Sequence, residues 1–393
     1  MKINNIFFGH KYTKYRFLLF LVAIQIYIIK EPNYSILEEN LLVKKRLRPF
    51  LYLFNKSVKI NNTILIFEPN KYHHECLPGY SKYFIDLGFN VDILLHTSGI
   101  SSFILFKEID SIRLFTFRNI NQITKEGKKL SIIIKKYDFI LFQTNNFEDR
   151  QLYNKLGLLS LNNSFFIFHE ALSLDGNYLR YAAQNRIWTL GNISKYVQVN
   201  PHYFGNNIKI KNKNVITKFF FTSSEARNYR YLMESLKRLK NEKFDFKIII
   251  TGRSRTFKSK HIPKILNKNI KLRYGVSYYD LFKAVEHSDY IIIPLNPYNN
   301  YESLYNKIKV TGSMQLSYGF IKPVIINQEF ADFYNLNPNN SLLYNNFNLY
   351  DILRKAIMLN NENYKKLQQN LYSLEKKIYL TSVANIKKVF NKP

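Results

Sequence analysis

The stretch "KVTGSMQLSYGFIKPVII", from Lys309 to Ile326, decides the reading of this chain. Thr311, Gly312 and Ser313 form a small polar turn, a short helical segment follows, and Pro323 leads into an apolar strand. A helix that opens this way leaves its first backbone N–H groups bare. Those groups and the helix dipole favour an anion, and the small side chains allow a phosphate to approach closely. The plainer reading is that Gly312 is a turn residue and Ser313 an N-cap, so the surrounding chain has to decide.

That surrounding pattern is regular. "TILIFEP" (Thr63 to Pro69) is an apolar run of strand length. Tyr80, Tyr83, Phe84 and Leu87 then fall on one helical face, closed by Gly88. Strands are expected at "VDILLH" (Val91 to His96), "IRLFTF" (Ile112 to Phe117), "YDFILFQ" (Tyr137 to Gln143) and "SFFIFHE" (Ser164 to Glu170). Around Asn206 to Val215 the pattern dissolves into Asn and Lys, a linker. It restarts with "ITKFFF" (Ile216 to Phe221), a helix through Tyr229, Leu232, Met233 and Leu236, and "FKIIITG" (Phe246 to Gly252). Ser277 and Asp280 make a capping box before the strand from Tyr290 to Leu295. Beyond Leu349 the chain reads as helix to its end. Continuous apolar strands alternating with helices mean parallel sheets covered on both faces, an α/β class with two Rossmann-like domains. The expected boundaries are 1–62 for an extension, 63–210 and 211–360 for the two domains, and 361–393 for C-terminal helices packing back on them.

The 393 residues exceed one ordinary core, and 46% apolar composition suffices for two. The net charge of +30, from 58 Lys+Arg against 28 Asp+Glu, points to an anionic partner. A compositional bias that raises Lys, Asn, Ile, Tyr and Phe together explains the same excess. The lysines are scattered and the aromatics sit at core-periodic positions, so no nucleic-acid partner is expected. The single cysteine, Cys76, excludes an internal disulfide and fits a reducing, cytoplasmic compartment. "FLLFLVAIQIYII" (Phe17 to Ile29) is shorter than the ~20 residues of a membrane span. With the basic and apolar "LLVKKRLRPFLYLF" (Leu41 to Phe54), it suits peripheral attachment to an anionic membrane face, the inner face of the plasma membrane.

In open parallel sheets, ligands sit beyond the carboxyl ends of the strands. The loops there carry Gly252, Arg253 and Lys258 after one strand, the run from Ser223 to Arg227 after another, and Thr311-Gly312-Ser313. Four segments, "EARNYRYLMESLKRL", "FKIIITGRSR", "YYDLFKAVEHSDYIIIPL" and "VTGSMQLSYGFIKPVII", occur in the order and spacing of the second domain of GT-B glycosyltransferases. From about Thr63 to the C-terminus the chain resembles this superfamily, which includes glycogen synthase and the lipopolysaccharide and capsule transferases. "HHECLPGYSKYFIDLGFNVDILL" is similar to the opening of the family's first domain.

The resemblance implies a transferase that moves a sugar from a nucleotide-sugar donor to a glycan or lipid-linked acceptor in surface polysaccharide synthesis. It implies donor and diphosphate contacts at Arg227, Gly252, Arg253, Lys258, Thr311, Gly312, Ser313 and Gln315, with Glu302 toward the sugar. No metal and no cofactor is expected, the nucleotide-sugar being a co-substrate. The chain departs from the family where a pair of glutamates is usual: the second falls near Met314 or Leu316, with Gln315 and Glu302 as the nearest substitutes. Thr222 and Asn228 stand where basic residues are usual, beside Arg227. His73, His74 and Glu75 follow the first strand and His169-Glu170 a later one, which places His74, Glu75 and His169 as candidate catalytic groups. A nucleotide-sugar epimerase shares this architecture, and a degenerate transferase acting as a binding subunit is the non-enzymatic alternative.

Overall fold

The computed structural model describes residues 47–54, 61–145, 147–159, 161–170, 176–193, 195–205, 209–223, 229–252, 257–345 and 347–390. Most of the expected membrane-attaching extension lies outside these residues. Among the described residues no helix is long and apolar enough to cross a membrane.

Eight strands form the first sheet: β1 (Leu47–Pro49), β2 (Thr63–Glu68), β3 (Asn90–His96), β4 (Ile112–Phe117), β5 (Phe139–Phe142), β6 (Ser164–Phe168), β7 (Ile187–Thr189) and β8 (Val197–Gln198). Their order is β1-β4-β3-β2-β5-β6-β7-β8, and every pairing is parallel. The intervening helices are α1 (Leu77–Asp86), α2 (Ile120–Lys125), α3 (Gly127–Ile134), α4 (Phe147–Lys155) and α5 (Gly176–Ala183). All of β2 is buried, which is why its sequence is apolar without alternation: helices cover both faces. α1 begins with Pro78 in its first turn and hides Tyr80, Tyr83 and Phe84 against the sheet. Gly88 ends it with φ of 86°, as the glycine there predicts.

The second sheet is built from β9 (Thr217–Thr222), α6 (Tyr229–Asn241), β10 (Phe246–Gly252), β11 (Ile270–Tyr274), α7 (Tyr278–Glu286), β12 (Tyr290–Ile293), α8 (Gly312–Phe320), β13 (Val324–Asn327) and β14 (Leu342–Tyr344). Its order, β11-β10-β9-β12-β13-β14, is the doubly wound pattern, again wholly parallel. The predicted cap holds: Ser277 Oγ accepts from the Asp280 N–H at 3.2 Å and donates to the Asp280 carboxylate at 2.9 Å.

Several elements differ from expectation. β1 lies in the stretch assigned to the extension, yet it pairs with β4 as the edge of the first sheet. The short strands β7, β8, β11 and β14 were not read from the sequence, because runs of this length carry too little periodicity. The terminal helix is two helices, α9 (Leu349–Met358) and α10 (Asn361–Phe390), broken at Leu359, which is extended. Lys213, from the expected linker, donates to the Ala356 carbonyl at 3.0 Å and so caps α9. Its own N–H goes to Asn361 Oδ1 at 2.9 Å, at the start of α10.

α10 joins the two halves. It begins in the second, where Tyr364 donates to the Asp289 carbonyl at 2.8 Å. It ends in the first, where Phe390 packs among Phe84, Phe89, Phe139, Phe165 and Trp188. Between these points Glu375 meets His202 Nε2 at 2.9 Å, and Ser382 Oγ accepts the Asn200 N–H at 3.0 Å. α8 packs on the same crossing segment. A Cβ on Gly319 would overlap the His202 carbonyl and the Phe204 ring. Gly319→Ala is therefore expected to lower stability by about 2 kcal/mol in urea denaturation. Gly312→Ala, whose Cβ enters open space, should stay within about 0.5 kcal/mol of wild type.

Candidate active site

A doubly wound sheet opens a crevice where neighbouring strands send their helices to opposite faces. In the first sheet that point lies between β2 and β5, and in the second between β9 and β12. The groups that follow lie at and beyond the carboxyl ends of these four strands and of their neighbours β6, β10 and β11.

Beyond β2 the chain turns at His73, whose backbone is left-handed with φ of 63°. This conformation costs an L-residue about 1 kcal/mol. Its carbonyl accepts from Gln143 Nε2 at 2.5 Å, which ties the turn to the end of β5. In this position the His73 ring stacks on His169, centroids 3.9 Å apart and planes 22° apart. Glu75 Oε1 lies 3.7 Å from His73 Nδ1. Burial alone would raise the Glu75 carboxyl, but His73 and the hydroxyl of Tyr278 override it and hold the group at about 2. His169 is kept neutral by burial, next to His73. Its Nε2 faces the Gln143 carbonyl at 3.2 Å and so carries the proton.

His74 is placed differently from the sequence expectation. It is buried against Gly99, its Nε2 donates to the Asn70 carbonyl at 2.9 Å, and burial pulls it down to about 4. The exposed imidazole of the pair is His73, because a one-residue step in this tight turn swaps core and cleft. Below the turn, Glu68 ends β2 fully buried, holding the Asn70 N–H at 3.0 Å and the Thr144 hydroxyl. Burial pushes its carboxyl well above the usual carboxylate range. No sequence signal marked it.

On the second sheet, α8 starts at the end of β9: Ser313 Oγ and Thr222 Oγ1 are 2.6 Å apart. Thr311 is the N-cap, its N–H directed to the Tyr334 hydroxyl at 3.3 Å. Gly312 is exposed while Thr311 and Ser313 on either side are buried, and no atom lies within 4 Å of where its Cβ would be. Gln315 is 1% exposed, yet neither atom of its amide has a hydrogen-bond partner. Helical side chains lean toward the N-terminus, so this amide lies over the first turn. An unmet buried amide costs about 1–3 kcal/mol, which a bound polar ligand would recover.

Gly252 ends β10 with φ of 148°, and a Cβ there would overlap Ser223 Oγ. Its role is thus to let the ends of β9 and β10 approach. Lys258 is exposed in the loop that follows. Arg227 and Arg253 lie outside the described residues. Glu302 is buried and takes the Asn296 N–H at 2.7 Å, so one carboxylate oxygen is committed to its own loop.

Among the described residues, two polar side-chain contacts join the loops of the two halves. The Tyr278 hydroxyl, at the start of α7, donates to Glu75 Oε2 at 2.9 Å. Lys309 Nζ lies 3.0 Å from Glu170 Oε2, and the two residues form an antiparallel backbone bridge. The two crevices therefore open toward each other, with imidazoles and a carboxylate on one side and a bare helix N-terminus on the other.

Two parallel doubly wound sheets joined by a returning C-terminal helix match many solved structures. The chain has the GT-B fold. A glycosyltransferase from Rickettsia africae superposes with a TM-score of 0.53 at 13% identity, over 84% of this chain and 99% of that one. A TarM variant from S. aureus, in complex with fondaparinux, α-GlcNAc-glycerol and UDP, gives 0.59 at 10% identity, covering 84% and 100%. HepE from Anabaena, in complex with UDP-glucose, gives 0.53 at 13% identity over 84% and 100%. No protein-family model matches the chain, and neither does any curated protein.

The buried His74 sets a pH dependence. Its folded value of about 4 lies below the ~6.5 of an unfolded histidine, so between these values the unfolded chain binds more protons. Stability then falls as the pH drops through this window, by on the order of 3 kcal/mol from this group. Glu75, held at about 2, acts in the same sense below pH ~4.3. Urea midpoints measured from pH 7 to 4 should fall for wild type, and His74→Gln should flatten the fall between 6.5 and 4.

Proposed function

We propose that this chain is a glycosyltransferase that takes a sugar from a nucleotide-sugar donor and passes it to a glycan or lipid-linked acceptor in surface polysaccharide synthesis. The observation that carries the reading is the start of α8: an exposed Gly312 with open space before it, and a buried, unpartnered Gln315 amide one turn in. A diphosphate on the bare N–H groups meets the positive end of the helix, and the Gln315 amide meets a ribose hydroxyl. The resemblance to structures that hold UDP or UDP-glucose supports this donor class.

The chemistry follows from the two sides. As the bond between sugar and diphosphate breaks, negative charge grows on the leaving diphosphate, and the helix terminus stabilises it without a metal. The acceptor hydroxyl loses its proton to His73, the imidazole that faces the crevice. Glu75, kept ionised, stabilises the imidazolium that forms, and Tyr278 fixes the carboxylate across the cleft. No cofactor enters, since the nucleotide-sugar is consumed. A basic and apolar N-terminus fits a lipid-linked acceptor at the cytoplasmic face of the membrane.

Calorimetry with UDP and a panel of nucleotide-sugars tests the reading. Wild type and Gly312→Ala should bind one nucleotide family, and Gly312→Asp should lose that binding, since its carboxylate replaces the phosphate. Equal binding by all three proteins would remove the α8 terminus from the site. Epimer formation from a nucleotide-sugar without acceptor would move the reading to the epimerase. No binding at millimolar concentration would favour a non-catalytic subunit. His73→Ala should lower kcat about a hundredfold or more while UDP affinity stays within about twofold.

A further inference from the structure

Lys309 stands two residues before the N-cap Thr311, so its Cα is within about 7 Å of the α8 terminus. Its ammonium is not loose in solvent. The side chain is 16% exposed, with Glu170 Oε2 at 3.0 Å and the Tyr301 hydroxyl at 2.7 Å. The rings of Tyr301 and Tyr305 lie 4.5 and 5.4 Å from it. Burial works against its charge, but Tyr301, Tyr305 and Glu170 together hold its proton more tightly than usual. Glu170 arrives from the opposite half, just beyond β6, and the backbone bridge fixes it in register with Lys309.

We propose that Lys309 is an anion-binding residue of the donor site, and that Glu170 occupies it as an internal counter-ion until a diphosphate takes its place. This rests on the nucleotide-sugar reading above. Three features favour the exchange. The carboxylate side of the pair is 38% exposed, and ion pairs of that kind strengthen an equilibrium by a factor of about one to five. A diphosphate brings more than one negative charge and several acceptor oxygens, so it outbids a single carboxylate. The Tyr301 hydroxyl and the rings of Tyr301 and Tyr305 also hold the ammonium, so contacts independent of Glu170 keep the cation in place when Glu170 leaves. The freed carboxylate then lies next in sequence to His169, on the acceptor side of the cleft.

The test is the affinity of uridine diphosphate and of inorganic pyrophosphate for the full chain, by calorimetry, on wild type, Glu170→Gln, Lys309→Met and Lys309→Arg. Removing the competitor should tighten both probes about fivefold in Glu170→Gln. Lys309→Met should weaken them at least tenfold, and Lys309→Arg should remain within a few-fold of wild type. A purely structural ion pair would shift the melting temperature in both charge-removing variants and leave both affinities alone. Affinities within twofold of wild type in Glu170→Gln, or in Lys309→Met, overturn the proposal. Pyrophosphate following the predicted order without any binding of uridine diphosphate would keep the exchange and reject the nucleotide donor. Absence of binding by either probe to every variant would reject both.

Discussion

The geometry of the cleft depends on how α10 fastens one sheet to the other. Its first turns belong to the second core, through Tyr364, and its last turn to the aromatic cluster around Trp188. Between them the His202–Glu375 contact and the Asn200–Ser382 hydrogen bond are both buried. Buried polar contacts of this kind are costly to break one partner at a time, so they define a single seating of the two halves. Once that seating is fixed, the carboxyl ends of two parallel sheets face one another. Every other feature of the site follows from it, including the meeting of Tyr278 with Glu75 and of Lys309 with Glu170.

Within the cleft the two sides are electrostatically unlike. The first sheet offers neutral His169 and ionised Glu75 around the His73 ring, with the buried Glu68 carboxyl, pushed up by burial, beneath. The second offers a helix N-terminus with a partial positive charge of about half an elementary charge, and Lys309, paired with Glu170, two residues before its N-cap. A proton acceptor on one wall and an anion cradle on the other are the two requirements of a displacement in which a diphosphate leaves as a hydroxyl attacks. In the proposed reading His73 and the start of α8 take these two parts, and neither requires a strand to move.

The site also carries local costs. His73 sits in a left-handed conformation, Gln315 is buried with an unmet amide, and Gln143 Oε1 is buried without a partner. All three lie at the switch points of the sheets and none in the aromatic interior. Left-handed residues and unmet polar atoms also occur away from the crevice, at Ile321 and at the Tyr80 and Tyr290 hydroxyls, so it is their coincidence with open strand ends that marks a place for a ligand.

The two-sheet architecture was legible in the sequence because buried parallel strands such as "TILIFE" and "YIII" are almost wholly apolar, and helices such as α1 must repeat their apolar face. The helix opened by Gly312 was legible for the same local reason. The short strands β1, β7, β8, β11 and β14 were not, since pairing with a neighbour creates them. Nor could sequence separate His73 from His74, which differ only in the direction a tight turn sends each ring. Thus the sequence by itself determined the elements and the candidate anion-binding loop, which depend on neighbours along the chain. Tertiary structure alone decided that His74 is core, that Tyr278 meets Glu75, and that Glu170 meets Lys309. Those outcomes depend on burial and charge brought together from residues far apart in the chain, which no local pattern encodes.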